Sequence, residues 1–145
     1  MHLTLAAILL LLASFFCFQA IRRRRAINTI RKSPCKKEKW LSKEYNSIGH
    51  DEVHLILQAI CGNLLDDGSL CWNISPADRL SKIYYSGLFT PAFDALEINE
   101  MCISIRKISG VDVTKRIQDD FEKITIGEIF EFIDKENFHK PGYPH

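Results

Sequence analysis

The longest apolar run in the chain lies at its N-terminus. Residues 3–20 read LTLAAILLLLASFFCFQA, with Gln19 as the one strongly polar exception. About 18 residues at a helical rise of ~1.5 Å is close to the shortest length that crosses the hydrocarbon core of a bilayer. The run therefore predicts a single transmembrane anchor over residues 1–21.

The flanks of this run distinguish an anchor from a signal peptide. A secretory signal has basic residues before its apolar stretch and small residues at the cleavage site. Here only Met1 and His2 precede the stretch, and four arginines, residues 22–25, follow it. Phe16 before Cys17 also argues against a lipoprotein site, which needs a small residue there. We predict an uncleaved anchor, with a cleaved signal as the alternative.

Charge divides the rest of the chain into two opposite segments. Residues 22–43 hold ten Lys/Arg and one Asp/Glu, and residues 44–145 hold nine Lys/Arg and seventeen Asp/Glu. We predict that residues 22–46 form a basic tether beside the membrane, where Arg22, Arg23, Arg24 and Arg25 contact anionic lipid headgroups. Nucleic-acid binding is the other use of such a run, but its place directly after a spanning segment favours lipid.

The same basic residues predict the orientation of the chain. An excess of Lys/Arg marks the cytoplasmic flank of a membrane helix, so the C-terminal domain should be cytoplasmic. The five cysteines form no CxxC pair, and an odd count without framework spacing fits a reducing compartment. For a bacterial protein this predicts a single-pass protein of the inner membrane.

Residues 47–138 carry the periodicity of helices. Apolar residues recur at offsets of three and four in residues 51–65, 75–86, 94–109 and 126–133, and a shorter helix is expected over 114–121. Ser75 and Pro76 predict the start of the second helix, while Thr125 and Glu128 form a capping-box pattern before the last. The alternation of apolar and polar residues is too short to predict a sheet, although a strand over residues 70–74 remains an alternative. We predict an all-α fold, a small helical bundle after one transmembrane helix, with a polar tail at 139–145.

Two stretches of this region resemble acyl carrier proteins. Residues 94–101, DALEINEM, are similar to the motif Asp-Ser-Leu-x-x-x-Glu-Leu of that family, and residues 122–129, EKITIGEI, are similar to its closing segment and final helix. The apolar pair Leu88 and Phe89 before the motif fits the family's order of elements. The likeness covers roughly residues 51–136 and extends to small uncharacterised bacterial proteins with the same pattern. It implies an acyl-carrier-like bundle.

The departures from the family bear on activity. Ala95 stands where the family's serine carries phosphopantetheine, and alanine has no hydroxyl to form the phosphodiester. Arg106 and Lys107 add positive charge to a helix that is typically acidic in carriers. The resemblance thus implies the fold without the cofactor, and we predict no cofactor.

An acidic edge is the predicted contact surface. In a carrier-like fold, Asp94, Glu97 and Glu100 would meet a protein partner with a basic surface; the alternative is an edge that is merely solvated. The function predicted from the sequence is therefore a membrane-anchored, non-catalytic binding or adaptor module.

Catalytic chemistry has weaker support. His50 and His54 have the i, i+4 spacing of zinc ligands, but a third ligand is not evident, and we predict no metal site. Cys102 lies on an apolar stripe, which favours packing over nucleophilic chemistry. The alternatives left open are a carrier modified at another serine, a hydrolase using the two histidines, and a purely structural membrane protein.

Overall fold

The computed structural model describes residues 2–87 and 94–139, and all regular structure within these ranges is helical. The prediction of an all-α chain is therefore confirmed, and residues 70–73 belong to a 3-10 helix rather than a strand. Of the predicted tail, only His139 is described. Leu88 and Phe89 lie outside the described residues. The helices in chain order are α1 (His2–Lys32), α2 (Lys37–Leu41), α3 (His50–Leu65), the 3-10 helix (Gly68–Asn73), α4 (Leu80–Gly87), α5 (Asp94–Ser109), α6 (Thr114–Asp120) and α7 (Ile126–Phe138).

Helix α1 contains both the apolar run and the four arginines. The span Leu5–Lys32 has a mean hydropathy of 2.1 in its most apolar window, no residue of which is buried against the rest of the protein. The helix ends at Lys32, two residues before Pro34, whose ring cannot continue a helix. The chain thus has one N-terminal helix that is long and apolar enough to cross a membrane.

The predicted apolar faces form one core. Helix α3 packs against α5, the 3-10 helix and α4. The side chains at the centre of these faces are almost inaccessible to solvent, which confirms the assignment of each helical face. They are Val53, Ile56, Leu57, Ile60, Leu64, Leu80, Ile83, Tyr84, Met101, Cys102, Ile105, Ile126, Ile129, Phe130 and Ile133.

Trp40, in the segment predicted to be a tether, is part of this core. Its side chain is fully buried, its ring lies 4.9 Å from that of Phe130, and its indole N–H donates a 2.9 Å hydrogen bond to the carbonyl of Ile74. The packing of the domain therefore extends back to α2.

The second helix begins later than the sequence pattern predicted. It starts at Leu80 rather than near Ser75, because the backbone before it pairs with the segment that leads into α7. The carbonyls of Pro76 and Asp78 accept hydrogen bonds of 2.8 and 2.9 Å from the N–H groups of Gly127 and Ile126. A Cβ at residue 127 would lie 2.9 Å from the carbonyl oxygen of Pro76, so the close approach requires glycine.

Helix ends that depend on local chemistry lie where they were predicted. Asp66 adopts a left-handed conformation (φ 57°) after α3, and Gly110 does so (φ 70°) after α5. At the start of α7, the hydroxyl of Thr125 accepts from the N–H of Glu128 while the Glu128 carboxylate accepts from the N–H of Thr125. The Thr125 N–H, and after it the Thr125 hydroxyl, donate to the Glu128 carboxylate and hold its pKa below the usual value.

Candidate functional site

Helix α5 has a buried face and an exposed face. Met101, Cys102 and Ile105 lie against α3 and are buried, with Ile98 and Ile108 half-buried at the edges. On the opposite side, the side chains of Leu96 and Ile103 are 61% and 52% exposed. Seven residues apart is two helical turns, so these two large apolar side chains lie on one line along the outer surface.

Polar side chains complete this outer line. Glu100 lies between Leu96 and Ile103, and Lys107 follows one turn later, all four at i, i+3 or i+4 spacing. Glu100 and Lys107 are exposed. We call Leu96, Glu100, Ile103 and Lys107 the α5 outer stripe.

The structure relates this stripe to the acidic edge predicted from the sequence. Glu100 is on the stripe, while Glu97 is half-buried at its side. Asp94 and Ala95 are in the first turn of α5, but their side chains lie outside the described part of the chain. Sequence reasoning missed Leu96 and Ile103, although their seven-residue spacing opposite the core positions would have indicated an exposed apolar pair.

Charge changes sign along α5. The acids are in its N-terminal half, and Arg106 and Lys107 are in its last turn. Arg106 lies 3.6 Å from the carboxylate of Asp112, and cations near a helix C-terminus are favoured by the helix dipole. The N-terminal half of the stripe is therefore the part suited to a basic partner.

The four arginines predicted to contact lipid do not all face the same way. Arg23 lies 3.9 Å from Asp66, and Ile27 and Ile30, about one and two helical turns further on, pack against the core. Arg22, Arg24 and Arg25 are exposed. The C-terminal turns of α1 thus dock on the domain with one side and leave a basic side outward.

A second ion pair strengthens this docking. Arg31 donates a 3.1 Å hydrogen bond to Asp67. The pKa of the Asp67 carboxyl lies below its usual value, first because the Ser69 hydroxyl donates to it and then because Arg31 does. Surface ion pairs contribute roughly 0–1 kcal/mol each, so the apolar contacts of Ile27 and Ile30 contribute more to the docking.

The two histidines with zinc-ligand spacing, His50 and His54, lie in different surroundings. His50 is exposed at the first residue of α3. His54 is half-buried and stacks on Trp72, with ring centroids 4.9 Å apart and planes 18° apart. Within the described ranges, no group of three or more His, Cys, Asp or Glu side chains is arranged to hold a metal ion.

Three of the thiols are buried in the core. Burial raises the pKa of Cys61 to about 12, with smaller effects from Cys71 and Asp67, and burial also raises the pKa of Cys71 and of Cys102. At neutral pH these groups are protonated, and the thiol is a much weaker nucleophile than the thiolate. Cys102 is 3% exposed on the buried face of α5, in agreement with a packing role.

The class of protein that these features define is a small all-helical domain docked on one N-terminal helix able to span a membrane. No protein-family model, no curated protein and no solved structure matches the chain. The α5 outer stripe and the basic side of α1 are therefore the observations on which a function can be built.

Proposed function

We propose that this protein is a single-pass, membrane-anchored binding module that holds a protein partner on the α5 outer stripe. In this proposal the domain has no catalytic role of its own. The partner presents apolar side chains to Leu96 and Ile103 and basic side chains to Glu97 and Glu100. Asp94, in the first turn of the same helix, adds to this acidic edge in the carrier-like arrangement.

The exposure of Leu96 and Ile103 is the observation that carries the proposal. Fully burying one such side chain contributes roughly 1.5–3 kcal/mol. Because only 61% and 52% of the two side chains remain to be covered, the pair would supply about 2–3 kcal/mol toward association, before the cost of lost motional freedom is subtracted. Nearby acids add selectivity and faster encounter with a basic surface rather than much affinity.

The likeness to acyl carrier proteins supports the same surface, because the corresponding helix of a carrier is the one that meets partner enzymes. With Ala95 at the attachment position, we propose that the module works without phosphopantetheine. A carrier modified at another serine is less well supported. The nearest serine before α5, Ser86, donates its hydroxyl to the carbonyl of Lys82 at 2.7 Å within α4.

A hydrolase using His50 and His54 is also less well supported. The ring of His54 is stacked on Trp72, and within the described residues no group of three or more His, Cys, Asp or Glu is arranged to hold a zinc ion. A solvated His50 at the start of α3 has no such constraint, but a single histidine does not make a hydrolytic site.

Photo-crosslinking tests the partner-binding surface. A photoreactive residue at position 103 of the full chain, expressed in the native membrane, should form one dominant protein adduct. The same residue at position 118, which is exposed on α6, should give little adduct. Leu96→Asp should reduce the adduct at position 103 by at least about tenfold, since it replaces apolar contact with a charge.

Leu55→Asp is the matched control for this experiment. Leu55 is 49% exposed on α3, so the chemical change and its degree of exposure resemble those of Leu96→Asp while the α5 outer stripe is unchanged. Equal loss of adduct in both variants, or equal adducts from positions 103 and 118, would show that the stripe does not hold the partner.

The orientation of the protein is tested separately. We propose that the domain is cytoplasmic, because the arginines after the spanning segment favour retention on that side. A reporter that is active only in the cytoplasm should be active when fused after His145, and one active only outside it should be silent. Exchanging Arg22, Arg24 and Arg25 for glutamine should weaken this asymmetry. Activity of the external reporter on the unmodified chain would overturn the assigned topology.

A further inference from the structure

A cleft of about 230 Å³ lies between α1 and α4. It is lined by Arg22, Arg23, Ala26, Lys82, Tyr85 and Ser86. Its volume equals that of about seven water molecules in the liquid, which is enough for a phosphate group with part of a glycerol.

The position of this cleft along α1 places it beside the bilayer. Arg22 directly follows Ile21, the last residue of the predicted anchor. At ~1.5 Å per residue, Arg22 to Ala26 extend from about 1.5 to 7.5 Å beyond Ile21. The headgroup layer on each side of the hydrocarbon core is about 5–8 Å thick. The cleft therefore opens at the level of the lipid phosphates.

Its lining is strongly cationic. Three of the six lining residues are Arg or Lys, and none is Asp or Glu. Three carboxylates lie around this lining: Asp66, 3.9 Å from Arg23, Asp78, 3.8 Å from Lys82, and Glu122, which accepts from the hydroxyl of Tyr85 at 2.7 Å. The first two distances are at the upper limit of an ion pair, and Arg22 adds a third cation to the lining, so part of the positive field of the cleft is retained.

An anionic group held in this cleft would neutralise part of the positive charge of Arg22, Arg23 and Lys82.

We propose that this cleft binds the headgroup of one anionic phospholipid from the surrounding leaflet. Arg22, Arg23 and Lys82 contact the phosphate diester, and Ser86 lies beside it. Tyr85, whose side chain is 49% exposed and whose hydroxyl donates to Glu122 at 2.7 Å, has the amphipathic ring typical of the membrane interface. The bound lipid joins α1 to α4 and holds the domain in one orientation at the membrane. This site rests on the same membrane anchoring as the proposed function.

Lipid titration of the full chain in a neutral detergent tests the site, with native mass spectrometry as the readout. Short-chain phosphatidylglycerol should saturate at one molecule per chain, ahead of phosphatidylcholine with the same acyl chains. Lys82→Glu should weaken phosphatidylglycerol binding about thirty-fold, since it changes the local charge by two. Lys107→Glu, the same change on the exposed end of α5, should weaken it by no more than about threefold because of distance and screening.

A second pair of variants tests whether lipid binding depends on this cleft rather than on the net charge of the protein or on its folding. Arg22→Gln should weaken binding about fivefold, whereas Arg106→Gln, in the exposed last turn of α5, should leave it unchanged. Equal losses within either pair, or equal binding of the two lipids, would overturn the proposal. Displacement of the lipid by an equal concentration of glycerol-3-phosphate would identify a soluble phosphate ester as the ligand, and would overturn it too.

The lipid site and the partner site can fail independently. Lys82→Glu leaves the α5 outer stripe unchanged, so the crosslinked adduct at position 103 should persist in this variant. Loss of lipid discrimination with a retained adduct would refute the headgroup site alone. Retained lipid discrimination without an adduct would refute the partner surface alone.

Discussion

Ile105→Asp is expected to unfold the globular domain at room temperature. Ile105 is fully buried where α5 meets α3. The exchange removes apolar burial worth about 2–5 kcal/mol and places a carboxylate in the core at a cost of several kcal/mol more. Domains of this kind are stable by only about 5–15 kcal/mol. Near-ultraviolet circular dichroism of the full chain in neutral detergent should lose its aromatic signal.

The matched control is on the same helix two residues earlier. Ile103→Asp makes the same chemical change at a side chain that is 52% exposed, and should alter the free energy of unfolding by no more than about 0.5 kcal/mol. Ile129→Asp, which introduces the charge from α7 at a buried position, should unfold the domain as Ile105→Asp does. A folded Ile105→Asp variant would mean that the buried face of α5 is assigned wrongly.

Trp40→Ala should destabilise the domain by about 4–8 kcal/mol. Truncation of a buried Trp to Ala costs about 3–5 kcal/mol, and the carbonyl of Ile74, which accepts the indole N–H, would lose its partner at a cost of about 1–3 kcal/mol. A urea titration of the full chain in neutral detergent, followed by near-ultraviolet circular dichroism, measures the change.

Two further variants show where this loss comes from. Lys39→Ala changes an exposed side chain of the same short helix. The free energy of unfolding of this variant should be within about 0.5 kcal/mol of that of the unmodified chain. Trp40→Phe keeps an aromatic ring near Phe130 but removes the indole N–H, so it should cost less than Trp40→Ala. If Trp40→Ala and Lys39→Ala have the same small effect, residues 37–41 are a tether and not part of the domain.

Much of the helical architecture follows from the order of residues along the chain. The apolar run after Leu3 and the arginines after Ile21 are local patterns, and α1 contains both. Helical periodicity identified the buried faces because a side chain three or four residues away must lie on the same side. Asp66, Gly110 and the Thr125–Glu128 capping box end or begin helices through bonds within a few residues, so tertiary contacts did not alter them.

The candidate surfaces could be predicted only in part from the sequence. Glu100 was selected through the carrier-like motif, and its exposure agrees with a contact role. Leu96 and Ile103 were not selected, because an apolar residue in a helix is more often buried, although their positions opposite the core residues of α5 would have indicated their exposure. The cleft beside the membrane joins Arg22 to Lys82, sixty positions apart in the chain, and no local pattern relates them.

What the sequence by itself determined is the longer helices of the domain, their buried faces and the presence of a membrane-length apolar helix, whereas α2 and the 3-10 helix were not predicted. Tertiary structure alone decided three other features. Residues 75–79 remain non-helical because the carbonyls of Pro76 and Asp78 accept hydrogen bonds from the first two N–H groups of α7. Trp40 belongs to the core rather than to the expected tether, because its ring packs against Phe130 and its indole N–H donates to the carbonyl of Ile74. The basic run divides into a docked and an outward side because Asp66 and Asp67, at the end of α3, lie against one side of α1. Each depends on contacts between residues distant in the chain, which local periodicity does not encode.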